Sequence, residues 1–184
     1  MKTQLLSLLF LATLLTSCNE KKQTIKIEDK YSVELPSSFS KATGLNEDAS
    51  LEYQDLLKQL YVIVIDEQKS EFSRILEESE LTEIYAADLA GYSKLIIDGI
   101  DPSVSLDSLP DFVDGTINGL KSRQVDMEGV TNKSNIYWKF AFIEGKNSYY
   151  QVMVWTLAEN RRKYDGRMQE IINSFRETDR SKKQ

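Results

Sequence analysis

Two stretches late in the chain are apolar at odd and even positions alike, and nothing else in the sequence constrains the fold as strongly. Ile136-Tyr-Trp-Lys-Phe-Ala-Phe-Ile143 and Tyr149-Tyr-Gln-Val-Met-Val-Trp-Thr-Leu157 flank the turn Glu144-Gly145-Lys146-Asn147, which reads as a β-hairpin. Side chains alternate across a strand, so Trp138, Phe140 and Phe142 point to one face and Tyr137, Ala141 and Ile143 to the other. Both faces must be hidden from water. The run Leu60 to Ile65 makes the same demand, and a sheet with two hidden faces needs a covering layer on each side.

Amphipathic helices are available as those layers. Glu83 to Ile97, with Thr82 as the expected N-cap, places Tyr85, Leu89, Tyr92 and Ile96 on one stripe. Arg161 to Phe175, capped by Asn160, aligns Tyr164, Met168, Ile171, Ile172 and Phe175. Between Gln68 and Leu81, Phe72, Ile75 and Leu76 suggest a shorter helix or helical loop. Near the start, Ile25 and Ile27, then Tyr31, Val33 and Leu35, alternate around Glu28-Asp29-Lys30 as a half-buried hairpin, and Leu51 and Tyr53 alternate similarly. The expectation is an α+β domain over residues 24–176: an antiparallel sheet of about six strands between helices, an α/β/α sandwich. Only Pro36, Pro102 and Pro110 interrupt the chain, and no linker divides it.

This order of elements resembles the PsbP-like superfamily. The resemblance is carried by Tyr31-Ser-Val-Glu-Leu-Pro36, the central helix, and Tyr150-Gln-Val-Met-Val-Trp155-Thr-Leu followed by a helix ending Ile171-Ile-Asn-Ser174-Phe175. That superfamily includes PsbP, the Ran-binding import factor and many bacterial lipoproteins. The resemblance implies a fold used mostly for accessory binding, and it brings no active-site residues with it.

The first residues concern location. Met1 and Lys2 precede an apolar run from Leu5 to Leu15, and Leu15-Thr16-Ser17 leads into Cys18, the only cysteine of the chain. About eleven apolar residues are too few for a bilayer core that needs roughly twenty. The segment instead resembles a lipoprotein signal peptide, residues 1–17, after which Cys18 becomes the lipidated N-terminus; an ordinary cleaved secretory signal is the alternative. Acyl chains on Cys18, palmitate among them, would hold the domain on its membrane. Residues 18–23 would serve as a tether of at most roughly 20 Å, and the two lysines Lys21 and Lys22 could touch anionic head groups. Asn19 in place of aspartate resembles the enteric signal for the outer membrane, and the expectation is a bacterial envelope protein on that membrane facing the periplasm, with exposure at the cell surface as the alternative. Residues 177–184 read as a polar tail.

Without residues 1–17 the chain carries 22 basic and 29 acidic side chains. Phosphate backbones require a concentrated basic face, so nucleic acid is excluded as a partner. The chain has no histidine, which removes Ser-His-Asp and Cys-His activation and histidine-based metal sites. No phosphate-binding glycine loop is present. Asp98, Asp101, Asp107, Asp111 and Asp114 crowd one loop, but their spacing fits no calcium loop, and turn capping is the expected role. The expectation is therefore no enzyme, no cofactor and no metal. Most of Tyr137, Trp138, Tyr149, Tyr150 and Trp155 are expected in the core, Trp138 and Trp155 included, with an apolar ligand cavity or a partner surface as the alternative.

Arg161, Arg162 and Lys163 run against local preference, because the positive end of a helix macrodipole disfavours cations by a few tenths of a kcal/mol each. They are the candidate partner-binding residues, for an anion or an acidic partner, against the alternative of a plain solvated face. Two functions compete. An accessory protein that binds another envelope protein would show an exposed apolar or aromatic patch without a deep cavity, whereas a carrier of a small apolar ligand would enclose a pocket between sheet and helix.

Overall fold

The computed structural model describes residues 20–27, 29–101, 103–107 and 111–178. The signal segment, Cys18, Asn19, Pro102, Pro110 and the end of the polar tail lie outside the described residues. In chain order the strands β1 (Lys22–Ile27), β2 (Tyr31–Pro36), β3 (Ser40–Lys41), β4 (Leu51–Asp55) and β5 (Leu60–Gln68) precede helices α1 (Lys69–Glu78) and α2 (Leu89–Asp98). Then follow β6 (Ser105–Leu106), β7 (Val113–Ile117), β8 (Leu120–Thr131), β9 (Ser134–Glu144) and β10 (Ser148–Leu157). The 3-10 turn Ala158–Asn160, helix α3 (Arg161–Asn173) and β11 (Arg176–Glu177) close the chain. None of the described helices is long and apolar enough to cross a membrane.

An eight-stranded antiparallel sheet runs in the order β3-β4-β5-β10-β9-β8-β6, with β7 also paired to β8, and a separate three-stranded sheet joins β1, β2 and β11. About six strands were expected. Five strands go beyond that expectation: β3, β6 and β11 have two residues each and therefore no alternation to read, and in β7 and β8 polar and charged residues interrupt the apolar alternation. The first strand also begins earlier than Ile25, because Gln23 turns inward and donates to the Phe39 carbonyl at 2.7 Å.

The two faces of the β9–β10 hairpin separate as their alternation requires. Tyr137, Ala141, Ile143, Tyr150, Val152 and Val154 join α3 and the fully buried β2 residues Tyr31, Val33 and Leu35. On the opposite face Phe140, Phe142 and Tyr149 pack under Phe72 and Leu76 of α1 and Leu89 and Tyr92 of α2. The covering layers are thus α3 with the small sheet on one side and two short helices on the other.

Two helix starts differ from expectation. The central helix begins at Leu89, not Glu83, because the Asp88 side chain accepts from the Gly91 N–H at 2.9 Å and fixes the N-terminus there. Residues 82–87 fold back over this turn so tightly that a Cβ on Gly91 would lie 1.9 Å from the Ala86 oxygen. Thr82 is therefore not the cap. Asn160 makes no side-chain cap for α3 either, since the preceding 3-10 turn already aligns the backbone and the amide reaches Gln59 at 3.4 Å instead.

β5 is not covered along its whole length. A ten-residue helix spans about 15 Å, whereas a nine-residue strand spans about 30 Å, and α1, which follows β5 directly, folds back over only part of it. Ile63 is buried while Tyr61 remains partly exposed.

Candidate functional site

The uncovered part of the sheet carries a row of large rings. Trp155 on β10 lies opposite Tyr61 of β5 and Trp138 of β9, so the three side chains share one face across three neighbouring strands. The Tyr61 and Trp155 rings stack at 5.3 Å with 15° between their planes. Met127 continues the row on β8 and is buried. Both tryptophans were expected in the core and both are only partly buried: Trp138 packs at the edge of the cluster under α1 and α2, and Trp155 packs against neither apolar cluster among the described residues. Tyr137, Tyr149 and Tyr150 are buried as expected.

The basic triplet of α3 is divided. Arg161 is bound back onto the sheet: its guanidinium pairs with Glu128 of β8 and lies 4.5 Å from the centre of the Tyr137 ring. These contacts offset the unfavourable dipole, and the Glu128 hydrogen bond holds the guanidinium still more firmly charged. Arg162 and Lys163 are exposed and form no ion pair among the described residues, although the Lys163 ammonium lies 4.9 Å from the Tyr164 ring centre.

Behind Arg161 lies a charged cluster that periodicity alone does not reveal. Lys139 faces α3, with its side chain 8% exposed, and its ammonium donates to Asp126 at 2.8 Å, Asp165 at 3.0 Å and the Tyr137 hydroxyl at 3.1 Å. The hydroxyl lies in turn 2.7 Å from Asp126 and 2.5 Å from Asp165, and its one proton serves one carboxylate at a time. Three ammonium donors meet three acceptors. Burial pushes the Tyr137 phenol well above its ordinary range, reinforced by its bonds to Asp165 and Asp126. The Tyr137 hydrogen bond, with help from Lys139, lowers the Asp165 carboxyl. The signal in the sequence was a single lysine inside an otherwise apolar strand, two residues from a tyrosine on the same face.

The aspartate-rich loop resolves into separate local contacts. Asp98 pairs with Lys94 and accepts from Tyr85 at 3.0 Å, Asp101 accepts from the Ser103 N–H at 2.7 Å, and Asp114 pairs with Arg123 at 2.7 Å. Among the described residues no group of three or more histidine, cysteine, aspartate or glutamate side chains is placed to hold a metal ion.

At the start of the described chain, Glu20 pairs with Lys58 at 2.8 Å and with Arg167 of α3 at 2.6 Å. Lys58 also pairs with Asp55 at 3.1 Å and reaches Ser38 at 2.9 Å. The Lys58 hydrogen bond holds the Glu20 carboxyl below its ordinary range. The chain leaving toward Cys18 is therefore fastened at the β4–β5 turn.

No protein-family model matches the sequence, and no curated protein matches it. Solved structures do. The solution structure of cyanobacterial PsbP (CyanoP) from Synechocystis sp. PCC 6803 is similar with a TM-score of 0.55 at 10% identity, over 86% of this chain and 94% of that one. A crystal structure from Bacteroides thetaiotaomicron gives a TM-score of 0.49 at 10% identity, over 84% of this chain and 47% of its own. LpqN, described as involved in cell envelope biogenesis of Mycobacterium tuberculosis, gives 0.46 at 9% identity, over 86% and 91%. With its antiparallel sheet held between α3 on one side and the α1–α2 pair on the other, the chain has the PsbP-like fold.

Proposed function

We propose that this protein is a non-catalytic accessory lipoprotein of the bacterial cell envelope. In this reading it is anchored through Cys18 to the outer membrane, faces the periplasm, and binds another envelope protein. The observation that carries the binding role is the row Tyr61, Trp155 and Trp138, three partly exposed rings on one sheet face. Tyrosine and tryptophan combine large contact area with few rotatable bonds, the combination that dominates protein interfaces. The absence of histidine and the internally matched Lys139 cluster support a binding role over catalysis.

The carrier reading draws no comparable support. The layer where an apolar ligand would lie is occupied by rings: Phe72 packs edge-on against Tyr92 at 5.1 Å and Tyr149 at 5.7 Å, and Tyr92 stacks on Tyr149 at 4.6 Å. The proposal is tested by cross-linking in intact cells, affinity isolation and mass spectrometry, comparing the wild type with Tyr61→Ser/Trp155→Ser. A near-stoichiometric envelope protein that is lost in the variant is expected. Retention of that protein by the variant refutes the docking face, and no partner in either strain refutes the accessory role.

A further inference from the structure

The turn from Leu56 to Gln59 between β4 and β5 carries two leucines that the fold does not use. Leu57 is 99% exposed and Leu56 64% exposed. Turns favour Gly, Asn, Asp and Ser for definite backbone reasons, and neither leucine supplies one. Two adjacent apolar side chains at the tip of a hairpin form a small exposed apolar patch that an apolar medium would cover.

The path of the chain indicates which medium that is. Lys58, in the same turn, holds Glu20, and Cys18 is only two residues farther, within about 7 Å of extended chain. Lys22 lies 3.6 Å from Glu170 and Glu20 lies 2.6 Å from Arg167, so the chain runs toward the first turn of α3 as it approaches Cys18. Asn160, just before that turn, contacts Gln59 at 3.4 Å, which places Arg162 and Lys163 at the same end as the leucines. The domain as a whole is acidic, so an anionic surface repels it except where cations are gathered.

We propose that this end of the domain rests on the bilayer, with Leu56 and Leu57 inserted beside the acyl chains of Cys18 and with Arg162 and Lys163 set against anionic head groups. The inference depends on lipidation of Cys18, which brings the membrane within reach of the turn. A protein partner at this end would have to fit between the domain and its own anchor. The orientation places the row Tyr61, Trp155 and Trp138 near the membrane, so a protein docked there is itself membrane-proximal.

The test uses the full chain in living bacteria, with the photoreactive residue p-benzoylphenylalanine in place of Leu57 or, as a comparison, of Ile84, which is 60% exposed. Incorporation of labelled palmitate is measured in the same cells. Both positions are solvent-facing, so neither replacement disturbs the core. The expected result is palmitate on the protein and a lipid adduct several-fold stronger from position 57 than from position 84. Palmitate incorporation with equal or absent lipid adducts, or with a protein adduct at position 57, overturns the orientation and leaves the lipoprotein standing. Absence of palmitate overturns both.

Discussion

Removing the Tyr137 hydroxyl or the Lys139 ammonium tests whether the cluster beneath α3 holds that helix to the sheet. Tyr137→Phe deletes a hydrogen bond to a carboxylate, a class that contributes about 1.5–3 kcal/mol. Asp126 and Asp165 are 41% and 47% exposed, so water partly replaces the lost donor and the low end, about 1.5 kcal/mol, is expected. Lys139→Met keeps much of the apolar stem but leaves two facing carboxylates without their cation. Breaking a buried pair costs about 3–5 kcal/mol, and partial solvation of the acids brings the expectation to about 2–3 kcal/mol. For a domain of this size that lowers Tm by roughly 4–12 °C.

The assay is urea and thermal unfolding at pH 7 of the chain lacking residues 1–17 and carrying Cys18→Ser. The double variant should lose clearly less than the sum of the single losses, because the two groups share both acceptors. Strict additivity, or losses below about 0.5 kcal/mol for each single change, refutes the cluster as a cooperative unit. A pH series adds an independent check. The folded Asp165 pKa is depressed, so its contribution is fully present above the unfolded value near 3.9 and disappears as pH falls through the lower folded value. The stability gap between wild type and Asp165→Asn should therefore be flat from about pH 6 to 8 and shrink below about pH 4.

Gly91→Ala reverses the usual helix preference. Alanine is favoured over glycine in a helix by about 1 kcal/mol, but here the new Cβ meets the Ala86 backbone at a cost of about 3 kcal/mol, and a net loss of about 2 kcal/mol is expected in urea unfolding; a stabilised variant refutes the close approach. Cys18→Ser should move the protein from the membrane to the soluble fraction and abolish palmitate incorporation. Unchanged membrane attachment would contradict the anchor.

What could be read locally in this sequence was what depends on neighbours along the chain. The alternation of Tyr137, Ala141 and Ile143 against Trp138, Phe140 and Phe142 assigns each side chain to a face before any partner is known, and from it follow the sheet, its two covers and the fold class. The spacing of Met168, Ile171 and Ile172 does the same for α3. Contacts between distant residues decided the rest. Asp88 rather than Thr82 starts α2 because residues 82–87 fold back against Gly91, and Lys139 is tolerated inside an apolar strand because Asp126, Asp165 and Tyr137 reach it from β8, α3 and its own strand. Trp138 and Trp155 have the pattern of core residues, yet they are partly exposed, because Trp138 lies at the edge of the cluster under α1 and α2 and Trp155 lies outside it. Periodicity reports which face a side chain takes, whereas the length and placement of the element above that face determine whether it is covered.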